Sequence, residues 1–174
     1  MTKRAKTAKS TGGSRQPIRF ERTYQAPIKD VWDLWTTKEG IESWWGPEGF
    51  ATAVRKLDLR PGGGFEYAMT ATDPAQIEGL KALGVALTSV ARGTYTEVVP
   101  PHRLAYKTIV DFIPGAEPYE VAAVVEFQSL GQGVRMVVTE DAMHNEQWTQ
   151  LSTMGMKSSL DKLVKVLESR RVHR

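Results

Sequence analysis

Cysteine is absent from the 174 residues, which removes disulfides, thiolate metal sites and a cysteine nucleophile at once. No apolar run approaches the roughly 20 residues that a helix needs to cross a bilayer. The N-terminal residues are basic and polar, without the apolar segment of a secretory signal, so a cytoplasmic location is expected. Acid is missing from the first sixteen residues, where Lys3, Arg4, Lys6, Lys9 and Arg15 stand unopposed. Taking those five from the net charge of +3 leaves −2 for the remainder. The positive charge belongs to a tail. Such a tail can attract phosphate, but it has no aromatics on which bases could stack. Residues 1–16 are therefore expected to be a disordered basic tail with no specific nucleic-acid partner, and 17–174 a single folded domain.

Signature motifs of catalysis are missing too. There is no GxSxG turn, no HExxH pair and no GxxxxGK[ST] loop. The three histidines, His102, His144 and His173, lack metal-ligand spacing. His144 stands two residues before Glu146, which is one ligand pair and no more. No metal, cofactor or catalytic residue is assigned on this basis. Gly62-Gly63-Gly64 leads into a strand pattern, so it reads as a permissive hairpin turn, not a phosphate cradle.

What is present is strong alternation. Ile18-Arg19-Phe20-Glu21-Arg22-Thr23-Tyr24 alternates between apolar and polar, with Arg22 as its one break, the period of a half-buried strand. Pro27 opens a helical stretch with Ile28, Val31, Trp32 and Trp35 on one stripe. A second short helix is expected over Lys38 to Trp45, ended by Gly46-Pro47. Strands are expected over 50–59, 65–72, 90–99, 102–112, 119–130 and 134–141. Residues 73–89 interrupt them as a helical insertion, with Ile77, Leu80 and Leu83 in register. Asn145 to Arg170 forms a long last helix with Trp148, Met156, Leu160, Leu163 and Leu167 along one stripe, and Lys162 and Lys165 on the solvated side.

Strands bracketed by helices indicate an α+β fold with an antiparallel sheet. Parity assigns the two sheet faces. Phe65, Tyr67, Met69, Tyr95, Leu104, Tyr106, Val121, Val125, Phe127, Val134, Met136 and Val138 fall on one face. Arg92, Arg103, Lys107, Glu120, Glu126 and Arg135 fall on the other. The last helix is the natural cover for the apolar face.

Five segments in order then resemble the SRPBCC (START/Bet v-like) superfamily. They are Ala26 to Trp35, Trp44-Trp45-Gly46-Pro47, Asp58 to Phe65, Glu97 to Leu104 and Ser159 to Leu163. The closest branch is that of proteins homologous to the C-terminal domain of the activator of heat-shock-protein-90 ATPase. The resemblance implies a helix-grip fold: a curved antiparallel sheet wrapped around a long C-terminal helix, with a cavity between them. It leaves function open, because superfamily members include lipid and hormone binders, cyclases and chaperone-associated domains.

Adjacent tryptophans cannot share one helix face, so Trp44 is expected in the core and Trp45 at the cavity or surface. The candidate ligand-binding residues are Trp45, Tyr67, Met69, Tyr95, Tyr106, Trp148 and Met156. The three inward tyrosines need partners for their hydroxyls, and flexible methionines suit an adaptable wall. Gly155, inside the last helix at a cost of about 1 kcal/mol relative to alanine, reflects either close approach of backbone or ligand, or a kink. The sequence thus supports a carrier or sensor for a hydrophobic small molecule. The alternatives are a co-chaperone-like domain whose partner is a chaperone or other protein, and a cyclase-like enzyme using cavity polar groups such as Glu66.

Overall fold

The alternation seen in the sequence becomes one seven-stranded antiparallel sheet in the computed structural model, which describes residues 15–173. Strands β1 (Ile18–Tyr24), β2 (Phe50–Leu57), β3 (Gly64–Ala71), β4 (Thr88–Val99), β5 (Arg103–Val110), β6 (Tyr119–Leu130) and β7 (Gly133–Glu140) lie in the order β1-β7-β6-β5-β4-β3-β2. Strands β2 to β7 form a meander, and β1 closes onto β7 with Ile18 opposite Glu140. Irregularities at Val54/Lys56 and Tyr95/Glu97 add local bend to strands that already twist. The second one shifts the parity of β4, so that Val98 comes opposite the buried Leu104.

Helices fill the concave side. α1 (Ile28–Thr36) buries Val31, Trp32, Leu34 and Trp35. α2 (Lys38–Trp44) starts at Thr37, whose hydroxyl accepts from the Gly40 amide at 3.0 Å. The two helices meet so closely at Gly40 that a Cβ there would lie 2.3 Å from the Asp33 carbonyl oxygen. Only glycine fits. α4 (Glu146–Val172) is capped by Asn145, whose side-chain oxygen accepts from the Trp148 amide at 2.9 Å. It buries Ser159, Leu160, Leu163 and Leu167 against α1, α2 and the sheet.

The insertion is a shorter helix than the pattern suggests. α3 (Pro74–Ala82) is capped by Asp73, and all its side chains stay at least partly exposed. Leu83, expected in register with Ile77 and Leu80, is 45% exposed beyond the helix end. Gly84, with positive φ, turns the chain there.

Two apolar clusters result. The large one joins the α1–α2 tryptophans, the central strands and Leu160, Leu163 and Leu167. The small one lies where α4 begins, with Val110, Ile113 and Met143 at its centre and Trp148 beside it. Residues 1–14 of the expected tail lie outside the described residues. Arg15 is described, and its guanidinium donates to the Met143 carbonyl at 2.6 Å.

Among the described residues, no helix is long and apolar enough to cross a membrane.

Candidate functional site

The site is built where the inward aromatics of β3, β4 and β5 meet the end of α2. Trp44 is fully buried and donates from its ring nitrogen to the Leu34 carbonyl at 2.7 Å. Trp45, one step on, leaves the helix with extended backbone (φ −62°, ψ 137°). Its ring turns to face Tyr67, with centroids 5.6 Å apart. The expected division between the two tryptophans thus holds: one is core and the other a wall. Phe65 stacks on Tyr67 at 5.0 Å and tilts against Tyr95 at 5.2 Å. Its ring lies over Gly93, where a Cβ would come within 2.4 Å of it.

The tyrosine hydroxyls answer to one another. Tyr67 and Tyr95 share a hydrogen bond of 2.9 Å. Burial raises the pKa of Tyr67, Tyr95 and Tyr106 above the ordinary phenol value. All three remain neutral at physiological pH, so they act as hydrogen-bonding groups and not as phenolate bases.

Trp35, Trp45, Phe65, Tyr67, Tyr95 and Tyr106, closed off by Ile41 and Leu104, surround a void of about 10 Å³. That is room for about one water molecule. The space among these aromatics is essentially filled.

Of the seven expected residues, Trp45, Tyr67, Tyr95 and Tyr106 come together around this void. Met69 is partly buried on β3, with its sulfur against the Gly46 backbone. Met156 packs on the large cluster from α4. Trp148 is apart, in the small cluster, its ring 6.1 Å from Phe112. Eight residues separate Trp148 from Met156, about 12 Å along a helix, so a shared stripe does not bring them to one spot.

Glu66 faces away from the cavity and pairs with Arg55 at 3.6 Å, as its parity requires. The carboxylate that does point inward is Glu140, which the sequence reading passed over. It continues the buried series Val134, Met136, Val138 on β7, and that period of two was the available signal. Its relative exposure is 9%, and Oε1 has no hydrogen-bond partner among the described residues. Burial pushes its carboxyl up to about 7, while the Ser152 hydroxyl of α4 pulls the other way and Asp141 adds a small upward push. Tyr24 Oη and Trp35 Nε1 are likewise buried and without hydrogen-bond partners among the described residues. An unsatisfied buried polar atom costs about 1–3 kcal/mol, so these atoms mark places suited to a water or a ligand.

Lys162 also departs from expectation. It is partly buried, and its ammonium donates to the Gly46 and Phe50 carbonyls at 3.0 and 3.4 Å. Desolvation lowers its pKa. Together with Ser158, which accepts from the Glu48 amide at 2.9 Å, it fastens the loop after Trp45 to α4. His144 is occupied by Tyr119, whose hydroxyl lies 3.0 Å from Nδ1. No three of His, Asp and Glu gather as a metal site among the described residues.

A seven-stranded antiparallel sheet curled around a long C-terminal helix, with two short helices after the first strand, defines a helix-grip domain of the α+β class. The sequence profile described as "Activator of Hsp90 ATPase homolog 1-like protein" matches residues 25–168, and the chain belongs to that family.

Solved structures share the fold. A protein from Chromobacterium violaceum is 22% identical with a TM-score of 0.73, over 88% of this chain and 97% of its own. One from Nitrosomonas europaea is 23% identical with a TM-score of 0.67, over 89% and 96%. An AHSA1 protein from Silicibacter pomeroyi is 19% identical with a TM-score of 0.69, over 88% and 99%. No curated protein matches the chain.

Proposed function

We propose that the protein is a carrier or sensor that binds a small apolar or aromatic molecule between its sheet and the N-terminal half of α4. The observation that carries this reading is the unequal closure of the grip. Over residues 159–167 the inward stripe of α4 is buried, with Leu160 and Leu163 at 0% exposure. Over 146–158 its residues range from partly buried to exposed. The inward sheet positions Ala91, Thr108 and Val121 are also only partly buried. Gly155, three residues after Ser152 and four before Ser159 on that same helix face, has open space where a Cβ would point. Apolar and small surface left partly open between two layers is where a pocket for an apolar molecule forms. The void among the tyrosines is too small to hold the ligand, so the binding space lies beside it, with Tyr106 and Met156 at the boundary.

The test is titration with an apolar probe, such as a naphthalene-sulfonate dye or a fatty acid, read by tryptophan fluorescence. Stoichiometric binding by the wild type and its loss in Gly155→Leu are the expected results. The variant keeps its fold, because the new side chain enters open space and leucine favours helix over glycine by nearly 1 kcal/mol. Absence of binding by the folded wild type, or unchanged binding by Gly155→Leu, overturns the reading.

A second reading has its own observation. Leu151 and Met154 on α4 are 38% and 67% exposed, and Phe112, against Trp148, is 41% exposed. Exposed apolar groups of this kind suit a protein partner, as a co-chaperone-like domain would need. Stimulation of a heat-shock-protein-90 ATPase by the wild type, reduced by Met154→Asp, is the result that would favour it.

A further inference from the structure

Resting on the reading of the space under α4 as a ligand site, we propose that Glu140 is its polar anchor, and that the ligand carries a hydrogen-bond-donating head group, an amine or a hydroxyl, on an apolar body.

The sheet register shows how the anchor is made. Tyr95 lies opposite Tyr106, Tyr106 opposite Ala123, and Ala123 opposite Glu140. One inward row therefore crosses four strands. Its third member is a single methyl group, so the side chain that stands between the Tyr106 phenol and the Glu140 carboxyl in that row is small. The two still sense each other, since the Glu140 charge contributes to the raised pKa of Tyr106. On the other side of Glu140, across β1, stands the apolar Ile18, and from above α4 contributes Ser152.

No lysine or arginine among the described residues pairs with Glu140, so none of their positive charges compensates it. Oε1 is buried and free to accept. An ionised carboxyl offers acceptor positions only. It welcomes an ammonium, accepts from a hydroxyl, and repels a second carboxylate. The surroundings set the remainder of the ligand: partly buried Val121 and the small Ala123, with Thr108 beside them, give a mostly apolar floor. A head group that donates, joined to a short apolar body, fits both.

Three probes of equal chain length decide the matter: decylamine, decanol and decanoate, titrated calorimetrically into the full chain at pH 8. The amine should bind tighter than the acid by about tenfold or more, the gain of a hydrogen bond to a charged group, with the alcohol between them. Glu140→Gln, checked for folding by circular dichroism, should collapse that preference.

A measurement on the wild type alone serves if the variant does not fold. From pH 8 to pH 6 decylamine stays cationic and decanoate anionic, so the amine's advantage should shrink as Glu140 takes up its proton. The other groups facing it are Tyr106, neutral throughout, and Asp141.

Equal binding of the three probes, tighter binding of decanoate, or an unchanged ranking in Glu140→Gln removes the anchor and leaves the ligand site standing. Failure of all three probes to bind removes both.

Discussion

The two halves of the grip are made from one sheet and one helix, yet they close differently. Under the C-terminal half of α4, Leu160, Leu163 and Leu167 sink among Trp35, Trp44, Val125 and Met136, and little space is left. Under the N-terminal half the helix presents Ser152, Gly155 and Met156, residues that are small, polar or flexible. The sheet answers with Ala91, Thr108, Ala123 and Glu140. Large apolar side chains on both sides make a core, and where they are smaller or polar the helix is less deeply buried. The sealed half supplies the stability that lets the other half remain partly open.

The largest expected effect separates the halves directly. Leu163→Ala should lower unfolding free energy by about 2–5 kcal/mol, because a fully buried leucine leaves a cavity behind. Leu151→Ala, on the same helix but exposed, should stay within about 0.5 kcal/mol. Chemical denaturation of both variants checks this, and equal losses would show that the N-terminal half is as tightly packed as the other.

Next in size is a pH effect confined to the open half. The folded pKa of Glu140, about 7, lies above the reference 4.5, so the folded protein keeps a proton that the unfolded chain releases. The stability from this group is full below about pH 4.5, falls as pH rises toward 7, and is constant above. Between pH 5 and pH 8, Glu140→Gln should gain about 2–3 kcal/mol relative to wild type. Parallel denaturation curves at the two pH values measure it, and a constant difference would place Glu140 in contact with water.

The smallest effect concerns the seam between the halves. Lys162→Ala should cost about 1 kcal/mol through lost hydrogen bonds to the Gly46 and Phe50 carbonyls. Lys165→Ala, which loses only an exposed pair with Glu48, should cost about 0–0.5 kcal/mol. Thermal melts of the two variants distinguish them.

The same division explains what could be read from the sequence. Alternation is a local property, so the inward positions of Tyr67, Tyr95 and Tyr106 follow from counting along each strand. The Trp44–Trp45 split follows in the same way, from helix geometry and a Gly-Pro stop. Glu140 obeys the same count, but a charge at a strand end suggests solvent and conceals the burial. Lys162 is a different case. Its partners are carbonyls of a loop more than a hundred residues earlier, and no pattern within α4 reports them. Trp148 shows the limit of a stripe: helical phase gives direction around the axis, while position along the axis decides which cluster a side chain joins.

The pairing of β1 with β7 also bears on how the chain reaches this state. Each neighbour from β2 to β7 is the next or previous strand in sequence, so those strands can form by successive local steps. β1 has no such neighbour. It must wait, as an unpaired apolar–polar ribbon, until the last strand is in place. The closure that joins Ile18 to Glu140 spans most of the chain and carries the largest entropy cost of any pairing in the sheet. Of the six pairings in the sheet, this is the one whose formation waits on the first and last strands of the chain meeting.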